Sequence, residues 1–223
     1  MKNLKIFYED NHIIVVEKPN NIPSQGDKTG DEDMLTIIKK YIKEKYNKPG
    51  NVYLGLVHRL DRPVGGAMVF AKTSKAASRL SDTIRKKEMH KKYLAILDGI
   101  PKEKECILED YLIKDSSTNM VSVTNKDNGK YAKLSYKVIE VKDDKALVLI
   151  DLETGRSHQI RVQFSSRNLP LVYDQRYNPN TTKGQLALWS YSLSFPHPTT
   201  KEIISIKSLP PKVLPWKDFA IEL

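Results

Sequence analysis

The chain has one cysteine, Cys106, among its 223 residues, and it has no long apolar run. A single cysteine excludes an intramolecular disulfide and any metal cluster built from cysteine ligands. The N-terminal residues hold no extended apolar segment of the kind that secretory signals need, and no stretch approaches the length of a membrane span. We therefore expect a protein of the reducing cytoplasm that has no membrane partner.

Motifs of several enzyme classes are also missing. The chain has no G-x-G-x-x-G or G-x-x-x-x-G-K-[ST] segment, which leaves dinucleotide and NTP binding without support, and no G-x-S-x-G elbow of serine hydrolases. His58, His158 and His197 are far apart, with no His-x-x-x-His pair, so we expect no metal site. His197 lies between two prolines and is explained most simply as a structural residue.

Positive charge is plentiful. Lysine and arginine number 37 against 27 aspartate and glutamate residues, a formal net charge of +10. Such a surplus favours a polyanionic partner such as nucleic acid, because cations that neutralise phosphates release bound counterions. A lysine-rich protein without such a partner is the alternative at this point.

The apolar pattern predicts more strands than helices. The run Ile13–Val16 is β-branched and continuous, which predicts a strand covered on both faces. Helices are expected over residues 33–46, with Leu35, Ile38, Ile42 and Tyr46 on one face, and after a cap at Thr73 or Ser74. Hairpin turns are expected at residues 127–129 and 143–144. The sequence thus predicts an α+β fold with a largely antiparallel sheet, in a single domain over residues 1–223.

The segment Val57–Gly66 is the first candidate for chemistry. It places the carboxylate of Asp61 between Arg59 and Arg62, and nearby positive charge lowers the pKa of a carboxyl group. An ionised, oriented carboxylate is able to act as a nucleophile or as an electrostatic stabiliser. The closing glycine pair is expected to let the backbone approach a ligand. The alternative is that Asp61 is a turn residue paired with its neighbours.

The second candidate is Tyr93, which begins a predicted strand directly after Lys91 and Lys92. An aromatic ring beside cations is suited to a stacked nucleobase and its phosphate. A half-buried strand tyrosine beside a solvated helix end is the alternative.

The third candidate is the segment 152–162, where a glycine turn precedes a helix predicted over residues 157–166. Backbone N–H groups at such a start bind anions. His158 and Arg161 are three residues apart and are expected on one helix face, and Arg161 is able to pair with a buried carboxylate. The density of polar residues in this segment favours function over a solvated amphipathic helix.

Together these segments resemble the RluA-type RNA pseudouridine synthases. The resemblance covers nearly the whole chain, and the matching motifs occur in the family's order. They are residues 7–19, His58–Asp61, residues 69–73, Lys91–Gly99, Thr154–Val162 and the turn at residues 195–198.

The resemblance implies a role for each motif residue. Asp61 would be the catalytic carboxylate, and Tyr93 would stack on the target base and assist proton transfer at its C5 atom. Arg161 would pair with Asp61 and keep it ionised and aimed. Arg59 would hold the flipped-out uridine or fill its place in the stack, and Ile160 would pack under the base or under Tyr93.

Neighbouring residues of the same motifs become candidate substrate contacts, namely His58, Arg62, Arg156 and His158. The family's reaction needs no cofactor, because it involves neither redox change nor a group donor. The resemblance implies the pseudouridine synthase catalytic fold, a mixed and mainly antiparallel sheet flanked by helices and loops, with an active-site cleft across it. We expect a monomer that acts on ribosomal or transfer RNA.

The chain departs from the family pattern in three places. Val64 and Gly65 stand where the family often has Thr and Ser, and Trp189 stands where a histidine is usual. We also expect a chain that starts at the catalytic domain, without the S4 RNA-binding domain that many relatives of this family carry. Two alternatives stay open, a non-catalytic RNA-binding or RNA-folding protein on the same scaffold and an unrelated hydrolase that uses Asp61. The absence of a second well-placed carboxylate counts against a glycosidase.

Overall fold

The computed structural model describes residues 4–221. Within this range the chain forms eleven β-strands, three α-helices and one 3-10 helix, so the predicted α+β class is confirmed. The elements are, in chain order, β1 (Ile6–Glu9), β2 (Ile13–Lys18), α1 (Met34–Lys45), β3 (Gly55–Leu56), β4 (Gly65–Ala71), α2 (Ser74–Arg85), β5 (His90–Leu97), β6 (Glu105–Lys114), β7 (Val121–Thr124), β8 (Lys130–Lys142), β9 (Lys145–Leu152), α3 (Gln159–Ser165), β10 (Leu188–Pro196), β11 (Ile203–Lys207) and the 3-10 helix Trp216–Asp218.

The chain folds into two compact units. The first comprises residues 4–90 and 190–208, and the second comprises residues 91–189 and 209–221. The single domain expected from the sequence stays a prediction, and each unit is described by itself below.

The first unit holds the strand order β1-β2-β4-β10, with β3 on β4 and β11 on β10. The run Ile13–Val16 is fully buried in β2, as predicted, and its alternate residues Ile13 and Val15 join a core with alternate residues of β4 and β10. Helix α2 packs on this core through Ala76 and Leu80. Thr73 caps α2 by accepting a hydrogen bond of 3.1 Å from the backbone N–H of Ala76.

Helix α1 begins at its predicted cap, because the side chain of Asp33 accepts a bond of 3.1 Å from the Thr36 N–H. Its buried stripe is Met34, Ile38 and Ile42. The prediction that Tyr46 belongs to this stripe was wrong. Tyr46 lies just past the last helical residue and is 45% exposed, and its hydroxyl donates to a carboxylate of β1.

The second unit holds the strand order β5-β9-β8-β6-β7. The hairpin predicted at residues 143–144 is confirmed, since these two residues join β8 to β9 with φ values of 47° and 58°. Two positive φ values give a turn whose twist matches that of the strands. The hairpin predicted at residues 127–129 was wrong, because β6 lies between β7 and β8. A Cβ on Gly129 would lie 2.7 Å from the Cβ of Tyr111, so close packing requires this glycine.

Candidate active site

Asp61 lies in the connection between β3 and β4 of the first unit. Its backbone carbonyl accepts a hydrogen bond of 3.0 Å from the Val64 N–H, which closes a tight turn over residues 61–64. The Asp61 side chain is partly exposed. The turn is therefore an ordered element that presents a carboxylate at the start of a fully buried strand.

Lys18 ties this turn to the end of β2. Its side chain is 0% exposed, and its ammonium group donates to the carbonyls of Pro19 (3.0 Å), Arg62 (3.0 Å) and Val64 (2.7 Å). Three carbonyls match the three N–H donors of an ammonium group. Burial lowers the pKa of Lys18 to about 7, although the nearby carboxylate of Asp61 acts in the opposite direction. Lys18 was not among the predicted site residues, and its one signal in the sequence is a lysine at the end of an otherwise buried strand.

Two further side chains, those of Ser24 and His58, fix the residues before Asp61. The hydroxyl of Ser24 donates to the Leu60 carbonyl (2.8 Å) and accepts from the Leu60 N–H (3.2 Å). The Nε2 atom of His58 accepts a hydrogen bond of 3.0 Å from the Val69 N–H of β4. His58, predicted as a substrate contact, therefore also has a structural bond that continues the short β3–β4 pairing.

The two arginines that flank Asp61 have different surroundings. Arg62 pairs with Asp31 and, at 3.5 Å, with Asp27. The hydrogen bond that Arg62 donates to Asp31 raises the pKa of Arg62. Arg59 is exposed and forms no ion pair with any residue in the range 4–221. Of the two predicted RNA contacts, Arg59 is the one whose charge is not already neutralised by the protein.

The glycine pair that closes the motif serves packing. Gly66 has a φ of 116°, and a Cβ at this position would lie 2.3 Å from the backbone oxygen of Ser190 in β10. Gly66 is thus required by close contact between two strands. The expectation that the glycines make room for a ligand was wrong for Gly66, since a neighbouring strand occupies that space.

Tyr93 lies in β5 of the second unit and is 6% exposed. It is opposite Ile150 of β9, which in turn is opposite Tyr136 of β8, so the three side chains share one face of the sheet. The ring of Tyr136 contacts the ring of Phe164 in α3, with centroids 5.3 Å apart. Tyr93 therefore points to the sheet face on which α3 lies.

Helix α3 begins two residues later than predicted, at Gln159. His158 is its N-cap and has a φ of 52°, in the left-handed region, so the helical conformation starts only after it. The side chain of Gln159 bonds to Thr154 (2.8 Å) and to the Lys133 carbonyl (3.1 Å), and it also contacts Gln163 (3.0 Å). These bonds hold the start of the helix against β8.

Arg161 projects from α3 to a buried carboxylate, as the sequence indicated. Its Nε atom donates to one oxygen of Asp174 (2.8 Å) and its Nη2 atom to the other (2.7 Å). The side chain of Asp174 is fully buried. The guanidinium also lies 5.1 Å from the centroid of the Tyr177 ring. Asp174 and Tyr177 were not predicted from the sequence. They lie outside the motif that contains Arg161, and no local sequence pattern indicates that they contact it. The pairing of Arg161 with Asp61 stays a prediction.

His158 and Arg161 meet at the same tyrosine, although His158 lies outside the helix. The Nδ1 atom of His158 is 2.7 Å from the Tyr177 hydroxyl, which also accepts a bond of 2.9 Å from the Val121 N–H. Burial raises the pKa of Tyr177.

Ile160 and Arg156 are the two remaining residues that were predicted to contact the substrate. Ile160 is buried, and the exposed Arg156 donates through Nε to the Tyr131 carbonyl.

His197 has the structural role that the sequence indicated. Its Nε2 atom lies 2.9 Å from a carboxylate oxygen of Asp10, and its Nδ1 atom accepts from the N–H groups of Thr199 and Thr200.

Over residues 4–221, no three His, Cys, Asp or Glu side chains gather where they could hold a metal ion. None of the helices in this range is long and apolar enough to span a bilayer.

Two solved structures identify the class of fold. A human RNA pseudouridylate synthase domain-containing protein, number 4, superposes with a TM-score of 0.79 at 21% identity, over 93% of this chain and 89% of that one. The human RNA pseudouridylate synthase domain-containing protein 1 gives a TM-score of 0.75 at 24% identity, over 96% of this chain and 86% of that one. The fold is therefore that of pseudouridylate synthases.

Sequence comparison then gives the family. The family model for RNA pseudouridylate synthase matches residues 12–166, which include both the Asp61 turn and the start of α3. The chain belongs to the RNA pseudouridylate synthase family, and the predicted RluA type is confirmed by relatives that are named ribosomal large subunit pseudouridine synthases C and D.

Three relatives show the extent of the similarity. The uncharacterized RNA pseudouridine synthase YlyB of Bacillus subtilis is 31% identical over 92% of this chain and 69% of its own length. Synthase C of Buchnera aphidicola (subsp. Schizaphis graminum) is 32% identical over 89% and 65%. Synthase D of Neisseria meningitidis is 33% identical over 92% and 58%. The chain thus spans about two thirds of these relatives or less.

Proposed function

We propose that this chain converts specific uridines of RNA to pseudouridine, with Asp61 as the catalytic carboxylate. The observation that carries the proposal is the family match over residues 12–166, which contains the Asp61 motif in the expected order with the Arg161 segment. The contacts of Lys18 and Ser24 around Asp61 support it, because a catalytic group must be held in a fixed geometry.

Ribosomal RNA is the substrate that we propose first. Several relatives are named ribosomal large subunit pseudouridine synthases, and the net charge of +10 suits a phosphate-rich partner. Transfer RNA is the other substrate class to be tested. We further propose that the chain acts as a cytoplasmic monomer, without cofactor or metal.

The reaction balances within the substrate alone. The C1′–N1 bond breaks, the uracil turns, a C5–C1′ bond forms, and the proton at C5 leaves while N1 gains one. The Asp61 carboxylate attacks the sugar or the base, or it stabilises the positive charge that develops at the sugar. Tyr93 stacks on the base and assists proton transfer at C5, and Arg161 keeps Asp61 ionised. His58, Arg59, Arg62, Arg156, His158 and Ile160 are the proposed substrate contacts.

The target base must leave its stack before this chemistry occurs. Unstacking costs on the order of a few kcal/mol, which favours loops and distorted helices as targets. Contacts between the basic surface and RNA phosphates offset this cost, so we expect substrate affinity to fall as salt rises.

The test compares wild type with Asp61→Asn on ribosomal and transfer RNA transcripts, with pseudouridine measured by mass spectrometry of digested RNA. Asp61→Asn should abolish pseudouridine formation and leave RNA affinity within about threefold, because the substitution is isosteric. The matched control is Asp82→Asn, which alters an exposed carboxylate that pairs with Lys86 on α2. Retained activity in Asp61→Asn would reject the assignment of Asp61.

A map of pseudouridines in cellular RNA, with and without this protein, tests the function itself. At least one site should disappear from the map when the protein is absent. An unchanged map together with intact RNA binding would instead support a non-catalytic RNA-binding protein.

A further inference from the structure

The orientation of Arg161 is fixed from two sides by residues outside the sequence motifs. Asp174 engages one edge of the guanidinium through Nε and Nη2, using two of its five N–H donors. The other three donors, two on Nη1 and one on Nη2, are not used by Asp174, and the side formed by Nη1 and Nη2 is the outer edge of the guanidinium. A guanidinium is planar and rigid, so the bond to Asp174 defines both its plane and the direction of that outer edge.

Tyr177 supports the guanidinium from its ring face. A cation within about 6 Å of a ring centroid is attracted by the ring electrons, and Arg161 lies at 5.1 Å. The ring is itself held, because its hydroxyl contacts His158 at 2.7 Å and accepts a bond from Val121 at 2.9 Å.

The segment that carries both supporting residues is ordered by the same carboxylate. The Oδ1 atom of Asp174 accepts from the N–H groups of Arg176 (3.0 Å) and Tyr177 (3.1 Å) in addition to Arg161. One buried carboxylate therefore sets the position of the arginine and of the tyrosine on which the arginine rests. A residue that served only to neutralise a buried charge would not need these three contacts.

We propose that Asp174 and Tyr177 are positioning residues that aim the outer edge of Arg161 in the reaction. This inference rests on the proposed function, because it assigns these residues to the chemistry only through Arg161. Arg161 is expected to present its outer edge to a carboxylate or to a phosphate oxygen, the two groups that its fork geometry matches.

The first test is Asp174→Asn, measured as the single-turnover rate on pre-bound RNA. Asparagine retains the oxygen that caps Arg176 and Tyr177, but it places an NH2 group against the Nε donor of Arg161. We expect the rate to fall at least about tenfold, because small displacements of catalytic groups are costly, with RNA affinity changed less than about threefold.

A double-mutant cycle separates positioning from general loss of structure. In an Arg161→Ala background, Asp174→Asn should produce no further loss of rate, since the residue through which it acts is gone. Independent, multiplicative losses would overturn the inference. Asp110→Asn is the matched control, because Asp110 pairs with Arg167 near the other end of α3 and should leave the single-turnover rate unchanged.

A second variant covers the case in which Asp174→Asn fails to fold. Tyr177 is only partly buried, so Tyr177→Leu is expected to fold while losing the ring beneath Arg161. Its rate should fall in the wild-type background and stay unchanged in the Arg161→Ala background. A full rate for Tyr177→Leu, in an assay where wild type is active and Asp61→Asn is not, would reject the positioning role and leave the proposed function intact. An inactive wild type would instead reject the proposed function.

Discussion

Replacement of Lys18 by methionine should change the pH dependence of stability more than any other single substitution that we consider. Burial lowers the pKa of Lys18 to about 7, against an ordinary value of 10.5. Below pH 7 the side chain is charged in the folded and the unfolded protein, so the folded state carries the whole cost of burying the charge. Above pH 10.5 it is neutral in both states and that cost vanishes. Between these limits the unfolded chain binds the extra proton, so the lysine's contribution to stability rises with pH.

The size of the effect follows from the shift. A difference of 10.5 − 7 = 3.5 pH units corresponds to about 5 kcal/mol, at about 1.4 kcal/mol per unit. Over the accessible range from pH 7 to about pH 9.5, the free energy of unfolding of wild type should rise by about 3 kcal/mol relative to Lys18→Met. Methionine fills much of the same space and does not titrate, so other groups cancel in the difference.

Urea denaturation of both proteins at several pH values measures this difference. Lys92→Met is the control, because Lys92 is exposed and its removal should leave a difference that does not vary with pH. The opposing force is the set of three carbonyl acceptors, which favours the ammonium form. A difference between wild type and Lys18→Met that is flat from pH 7 upward would show that the carbonyls hold the lysine charged, and would refute the reasoning from burial.

Three other outcomes are expected. Burial raises the pKa of Glu9, but hydrogen bonds, first from Lys45, lower it further, to a net value of about 2. Glu9→Gln should therefore cost about 2 kcal/mol of stability at pH 7, after allowance for solvent near Lys45. Thermal melts should show that this loss of stability becomes smaller as the pH falls from 4.5 toward 2. Tyr93→Phe should lower kcat more than it weakens RNA binding, and an unchanged kcat would restrict Tyr93 to stacking. Lys91 lies on the same strand face as Tyr93 and has no ion pair within residues 4–221, so Lys91→Met should weaken RNA binding and reduce the salt slope by about one, whereas equal effects of Lys92→Met would remove this assignment.

Local signals in the sequence were sufficient for most of the elements. The cap at Asp33 is formed as predicted, and Thr73 is the one of the two candidates, Thr73 and Ser74, that caps α2, because a cap involves only residues within one turn of the chain. The two-residue turn at residues 143–144 is likewise a local structure. The pairing of β6 with both β7 and β8 was not predictable, because the short turn at residues 127–129 gave the same signal as a hairpin between adjacent strands.

The candidate site shows the same contrast between local signals and distant contacts. Asp61, Tyr93 and Arg161 could be proposed as site residues because each lies in a dense motif. Lys18 and Asp174 could not, because each becomes important through contacts with residues distant in sequence. Lys18 of β2 bonds to carbonyls of the Asp61 turn, and Asp174 accepts from Arg161 of α3. Sequence alone does not show which buried carbonyls or carboxylates a charged side chain will meet. The residues that support a site are therefore harder to predict than the residues that face the substrate.

The cage of carbonyls around Lys18 resembles, in its chemistry, the way that proteins bind a simple cation through backbone oxygens. Here the charged form of Lys18, which predominates in the folded protein below pH 7, is attached to the chain, so it neither dissociates nor competes with ions of the solvent. The shape of the Asp61 turn should therefore be insensitive to the concentration of salt, whereas RNA binding through exposed arginines such as Arg59 should weaken steeply as salt rises. Salt thus gives an experimental means to vary substrate capture while the geometry around the proposed catalytic carboxylate stays constant.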